Sequence, residues 1–148
     1  MRSMASMVAI AAILAAAPAR GFDANGTDIL GLRLGMEEPE IIARLKSQGY
    51  FASGTSDAIM ADTKDGQLQV MLTAGRGATE IRYAFTGHRM NEPAVLRESV
   101  MLRFGDPNQA KPPAWCRAVG SDGRCPADQA SLTFLPQALT LILKSEAP

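Results

Sequence analysis

Two kinds of hydrophobic pattern follow one another along the chain, and their order predicts the architecture. From Met36 the run Met-Glu-Glu-Pro-Glu-Ile-Ile-Ala-Arg-Leu-Lys-Ser-Gln-Gly-Tyr sets Ile41, Ile42 and Leu45 on one stripe at helical spacing. Pro39 suits the first turn of such a helix and Gly49 stops it. Glu37, Glu38 and Glu40 fall at its start and Arg44 and Lys46 near its end, as the helix dipole favours, so these charges read as a solvated face. The period then changes from 3.6 to 2. Strands are predicted over 58–61, 67–73 and 79–85, with Leu68, Val70 and Leu72, then Ile81, Tyr83 and Phe85, on one side. Gln67, Gln69, Glu80 and Arg82 alternate to the other. Lys64-Asp65-Gly66 and Ala74-Gly75-Arg76-Gly77 supply the turns of an antiparallel meander.

The plan then repeats. Met90-Asn91-Glu92-Pro93 echoes Met36-Glu37-Glu38-Pro39, Asn91 is a suitable N-cap for a helix running to Phe104, and Gly105-Asp106-Pro107 ends it. Three more strands are expected over 114–119, 131–135 and 138–144, the last two joined tightly at Pro136-Gln137. The expected fold class is α+β: two successive helix-plus-three-strand halves, 31–86 and 88–145, forming an antiparallel sheet with both helices on one face. At this length a single domain over 21–148 can hold a core without a metal.

Residues 1–20 stand apart. Arg2 precedes an unbroken apolar run over 7–17, followed by Pro18-Ala19-Arg20. That is the outline of a signal peptide cleaved near residues 17–22, because a bilayer-spanning helix needs about 20 apolar residues. The run has no polar face, which argues against an amphipathic helix. No cysteine lies at the cleavage region, so no lipid attachment and no direct membrane anchor are expected. The destination is periplasmic or secreted.

The only two cysteines, Cys116 and Cys125, are then read as a disulfide, since oxidising compartments sustain such bonds. They lie symmetrically about Gly120-Ser121, which suits a two-residue type II′ hairpin. Counting outward, Cys116 faces Cys125 at a non-hydrogen-bonded position, where cross-strand side chains approach closely, while Arg117 opposite Arg124 and the Asp122-Gly123 pair point instead to a longer turn.

Charge and motif add mainly exclusions. With 15 basic and 15 acidic side chains, and the basic ones scattered singly, the chain lacks the basic footprint of a nucleic-acid binder. His88 is the only histidine, which removes multi-histidine metal sites and weakens every catalytic triad. Asp57, Asp62 and Asp65 crowd one loop region, but turn chemistry explains aspartates there, and Lys64 interrupts the ligand alternation of a calcium loop. Gly75-Arg76-Gly77 lies between strands with no helix after it to present amides to a phosphate. No cofactor is implied. Trp115, Tyr50, Phe51 and Tyr83 are the candidates for a partner-binding surface, each with a core-packing role as its competitor.

The stretch Gly31-Leu-Arg-Leu-Gly-Met36, with Leu45 and Gly49 after it, resembles the glycine-methionine helix opening of small bacterial envelope proteins. These are the outer-membrane-assembly small lipoproteins and, on a doubled helix-plus-sheet plan, the β-lactamase-inhibitor-protein-like domains. Phe104-Gly105-Asp106-Pro107 resembles the end of the second helix in the doubled proteins. The resemblance implies a periplasmic module that binds another envelope protein without catalysis. A small-ligand or lipid-binding carrier is the alternative, and an envelope hydrolase built on His88 and Asp62 comes third.

Overall fold

The computed structural model describes residues 22–87 and 92–148. The residues read as a signal peptide, together with His88 and Asn91, lie outside that range.

The first helix, α1 (Glu38–Ser47), buries Ile41 and Leu45 on the stripe seen in the sequence and half-buries Ile42. It ends as its sequence dictates. Gly49 takes φ +82°, and the Tyr50 N–H reaches back to the Leu45 carbonyl at 3.0 Å, which satisfies carbonyls the helix leaves open. A short strand β1 (Ala52–Gly54) comes next, then β2 (Ala58–Asp62), β3 (Gly66–Thr73) and β4 (Gly77–Phe85). The second helix, α2 (Pro93–Phe104), has Glu92 in the N-cap position and ends at Gly105 with φ +80°. It is followed by β5 (Ala114–Cys116), β6 (Ser131–Leu135) and β7 (Thr140–Lys144).

All seven strands form one antiparallel sheet in the order β1-β2-β3-β4-β7-β6-β5. The α+β class, the antiparallel sheet and two helices are therefore as expected, while the equal halves are not. The first half contributes four strands and the second three, because Ala52-Ser53-Gly54 pairs with 59–61 despite lacking alternation. The halves are joined through β4 and β7, with Ile81 opposite Leu143 and Tyr83 opposite Leu141.

Register makes one face apolar from edge to edge. Ile59, Val70, Ile81, Leu143, Leu132 and Trp115 form one cross-strand row, and Ala61, Leu68, Tyr83, Leu141 and Phe134 form the next. Leu45, Ile41, Leu96 and Val100 of the two helices belong to the same buried cluster, so both helices cover this face. Met60, Gln69, Arg82, Ile142 and Thr133 form a row on the opposite face, which neither α1 nor α2 covers.

The glycines of 75–77 have a structural use. The Gly35 N–H donates to the Ala78 carbonyl at 2.8 Å and the Ala78 N–H donates to the Met36 carbonyl at 2.9 Å, which docks the lead-in to α1 on the start of β4. A Cβ on Gly77 would stand 2.6 Å from both the Gly35 and Met36 carbonyl oxygens, and its φ of +68° also favours glycine.

The disulfide Cys116–Cys125 is formed, with Cα atoms 5.8 Å apart, but the hairpin expected around it is not. The strand ends at Cys116, which pairs with Ser131 of β6. The turn centres on Ser121-Asp122-Gly123 instead of Gly120-Ser121. Gly120 and Arg124 close it, Gly123 takes φ +74°, and Asp122 Oδ1 accepts the Arg124 N–H at 3.0 Å. Asp122-Gly123 thus supplies the side-chain acceptor and the positive φ of a three-residue loop, and it outcompetes the Gly-Ser turn. The β6–β7 connection also lengthens, because Leu139 (φ +48°) donates its N–H to the Pro136 carbonyl and delays β7 to Thr140.

Candidate functional site

The aromatic candidates separate into packed and displayed side chains. Trp115 is packed: it is 3% exposed, its indole N–H donates to the Gly105 carbonyl at 3.1 Å, and its ring lies tilted against Phe104. Tyr83, 5% exposed, faces the helices from β4, stacks edge-on to Phe85, and shares a 2.6 Å hydrogen bond with the Thr63 hydroxyl. Burial pushes its phenol above the usual tyrosine range, the nearby Asp65 charge adds to this, and the Thr63 bond opposes it. Tyr50 is half-buried against the same core.

Phe51 is different. It stands 88% exposed where the chain leaves α1 and enters β1. Strand order puts β1 and β5 at opposite edges, so six spacings of about 4.8 Å separate the Phe51 and Trp115 strands by roughly 29 Å. The four aromatics therefore do not form one surface.

What gathers around Phe51 is a shallow cleft of about 340 Å³ lined by Phe51, Ser53, Met60, Ala61, Asp62 and Gln67. Met60, 45% exposed, lies on the uncovered sheet face opposite Ser53. Gln67 donates to Asp62 Oδ1 at 3.2 Å along its margin. Beside the cleft runs the outer edge of β1, free among the described residues. The Thr55 N–H bonds to the Ala58 carbonyl across the two-residue turn Ser56-Asp57. Bonded pairs alternate along an antiparallel ladder, so Ser53 turns its main-chain groups to β2 while those of Ala52 and Gly54 point outward. Met60 was not singled out in the sequence. Its outward position follows from the alternation of Ile59 and Ala61 around it.

The far end of the uncovered face is closed. Cys116 and Ser131 point to that side yet are 0% and 8% exposed, because the disulfide-tethered loop 117–130 lies over them. Lys144 Nζ donates to the Ala127 carbonyl at 2.8 Å, Asn108 accepts the Cys116 N–H at 2.9 Å, and Gln109 accepts the Cys125 N–H at 2.8 Å. One sheet edge is thus fastened under a loop, while the other pairs with no further strand among the described residues.

The aspartates of the first half do not converge. Asp57 sits in the β1–β2 turn next to the Ser56 hydroxyl, Asp62 ends β2, and Asp65 accepts the Thr86 and Gly87 amides through its main-chain carbonyl. Among the described residues no cluster of three or more His, Cys, Asp or Glu side chains is placed to hold a metal. No helix there is long and apolar enough to cross a membrane. No protein family, curated protein or solved structure matches the chain.

Proposed function

We propose that this chain is an exported, non-enzymatic interaction module that binds another protein of the periplasm or cell envelope through the surface around Phe51. The observation that carries the reading is the pairing of a large apolar side chain, 88% exposed, with an open strand edge. Burying a phenylalanine gains about 1.5–3 kcal/mol, and an edge strand offers main-chain donors and acceptors to an extended segment. Met60 enlarges the apolar contact on the sheet face, and Asp62 and Gln67 give it a polar rim. The disulfide and the apolar run at 7–17 support an oxidising compartment outside the cytoplasm.

The test is site-specific photocrosslinking in the native host, with a benzophenone amino acid at position 51 and, as control, at the exposed turn residue Asp122. The reading expects a discrete adduct of defined mass from position 51 only, lost when Met60→Asp is added. Equal, diffuse adducts from both positions would overturn it.

A further inference from the structure

A second cleft lies across the molecule from Phe51. It has a volume of about 580 Å³ and forms where the loop leading into β5 meets the β6–β7 turn and the second turn of α2. Its walls are mainly apolar: Pro112 and Pro113 on one side, Leu135, Pro136 and Ala138 on the other. Proline fixes its own backbone φ, so these walls are held in shape before anything binds and little ordering cost falls on the ligand. The Phe134 N–H donates to the Pro113 carbonyl at 2.9 Å, which ties the two walls together.

Among the described residues the charged side chains that line the cleft are Arg97 from α2 and Lys111 from the loop, with no carboxylate beside them. Among the described residues the ion pairs are Arg82–Glu80 and Arg103–Asp28, so neither cation is spent internally there. The helix neighbours of Arg97 at three and four residues are Pro93, Ala94, Val100 and Met101, none of which carries a charge. Two cations on separate elements over an apolar floor call for an occupant with a compact apolar body and an anionic end. The chain's own N-terminal segment does not fit, because residues 1–20 carry Arg2 and Arg20 and no acid.

We propose that this cleft binds a small anionic amphiphile, its carboxylate or phosphate between Arg97 and Lys111 and its apolar chain against Pro112, Pro136 and Leu135. The site does not depend on the partner surface at Phe51. It matches the general form of ligand sites, a largely apolar concavity with a few placed polar groups.

The experiment is a titration of the isotope-labelled protein with decanoate, decyl phosphate and decanol, each kept below its aggregation concentration and followed by amide resonances. The proposal expects saturable shifts centred on the amides of Ala110, Lys111, Leu135, Gln137 and Ala138 for at least one anion, with decanol at least tenfold weaker. A stronger response to decyl phosphate assigns a phosphate headgroup, and the reverse assigns a fatty-acid carboxylate. The double variant Arg97→Gln/Lys111→Gln should bring the anion down to the level of decanol. Ala138→Trp, at an exposed lining position, should block all three while leaving the rest of the spectrum in place. Absence of binding by both anions, equal binding of decanol, or shifts centred elsewhere would overturn the proposal.

Discussion

Reducing the Cys116–Cys125 bond should destabilise the protein by about 2.7 kcal/mol without changing its fold. The magnitude follows from loop closure. The cysteines are 9 apart in sequence, ten residues counting both ends, and the chain-entropy relation gives about 9 cal/mol/K for such a loop, or about 2.7 kcal/mol at 25 °C. The folded state should lose little, because other contacts hold both ends of the loop. Asn108 and Gln109 accept the N–H groups of the two cysteines at 2.9 and 2.8 Å, and Lys144 holds Ala127. Unfolding entropy of about 2.1 cal/mol/K per residue over 22–148 amounts to roughly 0.27 kcal/mol/K, so the melting temperature should fall by about 10 °C. The assay is urea unfolding with and without a phosphine reductant, read by far-UV circular dichroism and by fluorescence of the buried Trp115. The midpoint should drop and the urea slope should rise, since the reduced denatured chain is more expanded. A loss below about 1 kcal/mol would refute the loop-closure account. A loss above about 5 kcal/mol, or a non-cooperative transition, would show that the bond supports the sheet itself.

Two further outcomes are expected. Tyr83 has a folded-state pKa raised by burial, so its neutral form is favoured in the native protein. Its contribution to stability is therefore complete below the ordinary tyrosine value of about 10 and is lost as pH rises through the higher folded value. Denaturation midpoints between pH 8 and 11 should show this fall in the wild type and a smaller one in Tyr83→Phe; identical profiles would contradict it. Gly77→Ala should cost about 2–4 kcal/mol, because the added carbon meets two carbonyl oxygens at 2.6 Å and the residue keeps a positive φ. A thermal melt within 2 °C of the wild type would show that the docking of Gly35 and Met36 on β4 is not as described.

Most of the fold is written locally. Leu68, Val70, Ile81 and Tyr83 alternate without interruption, so their strands and their buried face follow from period alone, and Ile41, Leu45 and Gly49 fix α1 and its end. Strand β1 was hidden because Ala52, Ser53 and Gly54 carry neither alternation nor β-branched side chains; it forms because β2 offers a free edge close by in sequence. The turn after Cys116 is a competition between two glycine signals, decided by the Asp122 side chain. The candidate sites were less legible. Aromatic character alone does not separate Phe51, displayed at an edge, from Trp115, whose indole N–H finds the Gly105 carbonyl ten residues away. Arg97, Lys111, Pro112 and Pro136 meet only through tertiary packing, and no local pattern connects them.

The claim on which the functional reading rests is that the protein works, disulfide-bonded, outside the cytoplasm. Intact mass of the protein recovered from its native host, before and after reduction and alkylation, tests that claim directly. The account expects a chain starting between Pro18 and Phe22, with two alkylatable thiols appearing only after reduction. A chain that retains Met1 with both thiols free would contradict it.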